Sequence, residues 1–217
     1  MILFLLIPLC ILLGVTVFHD RAYLWVSLCI AVLACVPVFI SFEKGTANTQ
    51  KMIVLSVMVA LSVLGRFAFS ALPHFKPVTA VVVLTGMYLG AESGFLCGAL
   101  SAIVSNILFG QGPWTPFQMF TWGVIGLLAA GFSRWLKRNR VALSLYGVFS
   151  GILYSMMMDI WTVLAWDGTF SVARYFAAVL AAIPVTGIYV VSNVIFLLVL
   201  AKPIGEKLDR MIRKYGL

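Results

Sequence analysis

Long apolar runs, with charge confined to the breaks between them, constrain this chain more than any motif does. The runs are 2–18, 23–42, 52–72, 77–90, 92–109, 117–136, 142–166 and 174–201. A helix needs about 20 apolar residues to cross the hydrocarbon of a bilayer, and most of these runs approach or exceed that. The fourth and fifth are short and meet at the tight turn GAES, so 77–109 reads as a helical hairpin whose tips fall short of one or both membrane faces. The chain is 63% hydrophobic and 10% charged, whereas a soluble domain carries about 25% charged residues. Too little polar surface is left to cover a water-facing globule. The expected fold is an all-α integral membrane protein.

The formal net charge of +8 invites a nucleic-acid reading, which its placement opposes. The basic residues sit in short loops and in the tail KPIGEKLDRMIRKYGL, as the positive-inside rule produces. With an even number of spans both termini share one side. Placing that side in the cytoplasm puts Lys44, Lys51, Arg134, Lys137, Arg138, Arg140, Lys202, Lys207, Arg210, Arg213 and Lys214 inside, against Arg21, Lys76 and Arg174 outside. The expected protein is multi-pass, in the cell membrane, with both termini cytoplasmic and no nucleic-acid partner.

The stretch SFEKGTANTQK at 41–51 divides the chain. Residues 1–43 read as an accessory N-terminal transmembrane hairpin, its first helix retained because a charged n-region and a clear cleavage site are missing. Residues 51–217 read as a six-helix working core with a basic cytoplasmic tail. Cys10, Cys29, Cys35 and Cys97 lie inside apolar runs and read as small buried hydrophobes.

Intramembrane polar groups are costly and usually have a purpose. They gather in the outer half of the core: Arg66, His74, Lys76, Asn106, Gln111, Trp114, Gln118, Trp122 and Asp159. Arg66 and Asp159 fall at similar depth and are candidates for a buried ion pair, which would either fix helix contacts or line a pocket. Gln118 and Trp122, four residues apart, share a helix face. Trp114 reads equally as a ligand contact or a rigid cap, while Trp161 and Trp166 read as interfacial anchors. The inner half has few polar groups, Asn193 being the main one. A channel or proton relay would want polar groups along its whole path. This pattern suggests capture from outside.

Gly86, Gly90, Gly94 and Gly98 recur every four residues, a spacing that lets helix backbones approach closely. Ser56 and Ala60, also four apart, leave a docking face open. No P-loop, HExxH or GxSxG is present, so the chain neither uses ATP itself nor reads as an enzyme, and no cofactor or metal is expected.

The block 65–131, GRFAFSALPHFKPVTAVVVLTGMYLGAESGFLCGALSAIVSNILFGQGPWTPFQMFTWGVIGLLAAG, resembles the substrate-binding S components of energy-coupling factor (ECF) vitamin transporters. The shared features are the GR of the first core span, P-x-x-KP-x-T-A, the glycine-rich hairpin and SN-x-x-x-GQGPWTP-x-QM. The resemblance implies a six-helix core that captures a vitamin-like small molecule from outside. It implies partners as well: a membrane coupling protein and two cytoplasmic ATPase subunits, with the S component toppling in the bilayer to deliver its ligand. Residues 72–77 would form the lid, and Ser56-x-x-x-Ala60 stands where the family often carries AxxxA for docking. The 1–43 hairpin is additional to the usual six spans. The motif set is most similar to members linked to cobalamin or a corrinoid precursor, while riboflavin or a pterin would equally suit stacked Trp114 and Trp122. Two other readings remain: a structural or assembly membrane protein without ligand, and a stand-alone secondary transporter.

Overall fold

A computed structural model describes residues 5–16, 29, 33, 49–167 and 171–216. Among these the chain is helical: α1 Ile7–Thr16, α2 Thr49–Ala68, α3 Val78–Leu89, α4 Ala91–Phe109, α5 Thr115–Gly131, α6 Ser133–Arg138, α7 Arg140–Asp167, α8 Val172–Ala181 and α9 Ile183–Tyr215. Four of them, α2, α4, α7 and α9, are long and apolar enough to cross a membrane. The expected all-α membrane architecture is what the chain adopts. The run 23–42 lies outside the described residues apart from Cys29 and Leu33.

The centre of the bundle is α3. Its 12 residues reach about 18 Å, well short of the hydrocarbon thickness. It is apolar on every side, the pattern of a helix surrounded by protein. Ala80, Val82, Val83 and Leu84 are completely buried, with α2, α4, α5 and α9 packed around them. The short fourth run is therefore the core of the molecule.

The glycine series explains how α3, α4 and α5 come so close. A Cβ on Gly86 would lie 1.9 Å from the Gly126 carbonyl oxygen, and one on Gly94 would lie 2.4 Å from the same atom. A Cβ on Gly98 would meet the Trp122 backbone at 2.4 Å. Gly90, at φ +95°, turns the chain between α3 and α4 in a conformation that L side chains avoid. The spacing serves internal contact, as expected.

Two runs break where the sequence suggested continuity. The run 174–201 divides at Ala182 into α8 and α9, because Pro184 sits in the first turn of α9, where its missing N–H costs nothing. The run 117–136 divides at Phe132 into α5 and α6. At the other end α9 continues through the basic tail to Tyr215. The first helix, α1, packs on α5, and its Ile11 joins the core. Cys97 is buried and Cys10 half-buried, but Cys29 is exposed, contrary to its expected burial; Cys35 lies outside the described residues.

Candidate functional site

The motifs quoted from 65–131 are distant in sequence but form one network. On α2, Gly65 admits Pro77, whose ring carbon would stand 2.6 Å from a Cβ there. The next residue, Arg66, points into the bundle and donates to Ser105 Oγ and, at 2.7 Å, to Asn106 Oδ1 on α4. Asn106 Nδ2 donates onward to Thr115 Oγ1 and Gln118 Oε1, both at 2.8 Å. Gln118 Nε2 donates to the Tyr154 hydroxyl on α7 at 3.0 Å. Asn106 is 1% exposed, so each amide atom needs a partner, and each has one. The guanidinium also lies 4.9 Å from the Phe109 ring centroid and 5.5 Å from that of Trp122, the geometry of cation–π attraction.

Beside this network is a cavity of about 210 Å³, lined by Arg66, His74, Lys76, Val78, Thr79, Gln118, Trp122, Tyr154, Tyr189 and Asn193. Trp122 and Tyr154 stack with centroids 5.0 Å apart and planes 22° apart. Trp122 Nε1 donates to Thr79 Oγ1 at 3.3 Å. Tyr189 meets Tyr154 edge-on, and its hydroxyl lies 2.9 Å from His74 Nδ1.

The loop between α2 and α3 closes one side and is strapped down. The Lys76 N–H donates to Ser192 Oγ on α9 at 3.0 Å, and that hydroxyl donates back to the Lys76 carbonyl at 3.1 Å. Lys76 Nζ folds back on the loop's own start, donating to the carbonyls of Phe69 and, at 2.8 Å, Leu72. Burial, and then the neighbouring Arg66 charge, hold the Lys76 ammonium below its ordinary pKa. His74 is the only non-glycine among the described residues at positive φ, 59°, a strain that its Tyr189 contact helps to hold.

Of the nine sequence-selected residues, Arg66, His74, Lys76, Gln118 and Trp122 line the cavity. Asn106 stands behind Arg66 and Gln118. Gln111 belongs to the loop after α4: its Nε2 donates to the Ile103 carbonyl at 2.9 Å, and its Oε1 accepts from Thr115 Oγ1 at 3.0 Å. Trp114 folds over Gly112, where a Cβ would meet its ring at 2.3 Å, and meets Trp161 edge-on at 5.7 Å. The GQGPWTP loop is thus a self-packed cap that delivers Gln118 to the cavity. Trp114 does not stack with Trp122, and Trp161 packs against the cap.

The Arg66–Asp159 ion pair does not form. Arg66 is engaged by α4, and buried Asp159 Oδ2 has no hydrogen-bond partner among the described residues. Asn193, assigned from sequence to the inner half, lines the cavity. Depth along α9 starts afresh at Ile183, which places Asn193 mid-helix. Tyr154, Tyr189, Thr79 and Val78 were not singled out in advance. Thr79 was legible within KPVTA, whereas a tyrosine in an apolar run carries no signal of which helix it will face.

The family model described as "ECF-type riboflavin transporter, S component" matches residues 46–210. A curated relative, a "UPF0397 protein" of Clostridium perfringens (strain SM101 / Type A), is 28% identical over 129 residues, covering 57% of this chain and 68% of the relative. No solved structure matches the chain. The match at 46–210 spans the network, the cavity and the central α3 together. The chain therefore belongs to the family of ECF-type riboflavin transporter S components, non-enzymatic membrane proteins that bind a small molecule and work with an energy-coupling module.

Proposed function

We propose that this chain captures a flat heteroaromatic vitamin of the riboflavin class from the outer side of the membrane and delivers it with a coupling protein and two ATPase subunits. The observation that carries the reading is the Trp122–Tyr154 stack forming one wall of a cavity that also holds Arg66, Gln118 and Thr79. A flat ring extends an aromatic stack, while carbonyl oxygens and hydroxyls on its edges find fixed donors and acceptors opposite. The cavity, at about 210 Å³, lies below the usual 300–1,000 Å³ of ligand pockets. A slot of that size suits a planar ring admitted by movement of the 69–77 loop. A corrin macrocycle with its axial ligands needs a far larger bowl, so the corrinoid expectation gives way to a riboflavin-class ligand.

In this reading the strapped loop is the lid, the basic end of the bundle is cytoplasmic, and the 1–43 hairpin is accessory to the binding core. Ser56 and Ala60 lie on the exposed face of α2, opposite buried Val54, Met58 and Val59, and offer a flat surface to the coupling protein. The test is titration of the purified chain with riboflavin, following flavin and tryptophan fluorescence, with cobalamin in parallel. Saturable one-to-one quenching by riboflavin alone is the expected outcome. Binding of cobalamin without riboflavin would overturn it.

A further inference from the structure

At the opposite end of the bundle, between α3, α6, α7 and α9, is a second hollow of about 300 Å³. It shares no lining residue with the first, and along α9 the two linings come nearest at Asn193 and Leu198, about 7.5 Å of helix apart. Lys137, Arg138, Arg140 and Lys202 line it, together with Glu206 and Asp209. Four cations against two carboxylates leave the lining net positive. The Lys137 ammonium sits 3.9 Å from the Tyr88 ring centroid, and Tyr88 is wedged against Gly205, where a Cβ would meet its hydroxyl at 2.4 Å. Arg138, Arg140 and Lys202 are exposed and have no side-chain hydrogen bond or ion pair among the described residues.

Depth identifies the kind of anion. Trp135, at this same end, is 55% exposed; an exposed tryptophan marks the headgroup level of a bilayer. The lining of the hollow also includes the buried apolar side chains of Met87 and Leu136. Basic hollows between membrane helices at this depth hold phospholipid head groups. We infer that this hollow is a binding site for the phosphate of an anionic phospholipid, with the diester against Arg138, Arg140 and Lys202 and hydroxyls of the headgroup donating to Glu206.

The test is native mass spectrometry of the full chain after exposure to equimolar phosphatidylglycerol and phosphatidylcholine. The chain is expected to retain phosphatidylglycerol over phosphatidylcholine by at least about fivefold. Arg138→Gln/Arg140→Gln/Lys202→Gln should bring the two lipids to parity, and Lys202→Gln alone should move in the same direction with an unchanged elution profile. A control with equal loss of charge outside the hollow, Arg134→Gln/Arg210→Gln/Lys214→Gln, should keep the preference. Equal retention by the unmodified chain, or the same loss in control and pocket variants, would overturn the assignment. Displacement of bound lipid by millimolar inorganic phosphate would identify the free ion as the ligand and overturn the lipid assignment.

Discussion

Asn106 shows how much one buried side chain organises. It joins Arg66 on α2 to Thr115 and Gln118 on α5, and through Gln118 it reaches Tyr154 on α7. Gln118 lines the cavity together with Arg66 and Tyr154, so Gln118→Ala should weaken riboflavin binding by at least about tenfold, ~1.4 kcal/mol, in fluorescence titration. Trp114→Ala should act differently, because its ring packs on Gly112 and Trp161. It should lower thermal stability in detergent and change affinity less than Gln118→Ala does. Equal affinity losses would mean that the cap itself touches ligand. The sequence pointed to both residues and could not separate them, since a loop tryptophan reads the same whether it turns toward a ligand or toward its own backbone.

At the scale of the helix, close approach of backbones decides stability. Gly86→Leu forces a side chain onto the Gly126 carbonyl, and its effect should exceed the roughly 1–3 kcal/mol of ordinary overpacking. Gly187, inside α9, would place an added Cβ in open space, with nothing within 4 Å, so Gly187→Ala should be neutral or stabilising by about 0.5–1 kcal/mol. Thermal unfolding of both variants in detergent checks the contrast; similar losses would contradict the glycine contacts. The four-residue repeat of Gly86, Gly90, Gly94 and Gly98 made this interface legible in advance. Its partner surface, Trp122, Gly123 and Gly126 on α5, was not, because facing surfaces on different helices share no sequence period.

For the whole molecule, two ends have different chemistry. The cavity end holds stacked rings, a strapped loop and fixed amides. The basic end holds cations that lack side-chain partners among the described residues, beside exposed aromatics. Between them α2 exposes Ile53, Val57, Leu61 and Leu64 along the side where Ser56 and Ala60 leave room for a partner. Ser56→Trp/Ala60→Trp should therefore abolish co-purification with the coupling module while riboflavin titration stays unchanged. Retained assembly would place the docking face elsewhere.

That this chain is an all-α membrane protein, with its polar groups gathered toward one end, follows from its residues without coordinates. Apolar run length, charge placement and motif spacing are properties of the chain itself. What each polar group meets is a property of the folded bundle. Arg66 could have paired with Asp159 at similar depth, but α4 presents Ser105 and Asn106 to it first. Pro184 reset the depth of α9 and carried Asn193, Ser192 and Tyr189 to the cavity and its lid. Those outcomes depend on helix rotation and on breaks of a single residue, to which a count of apolar residues is blind.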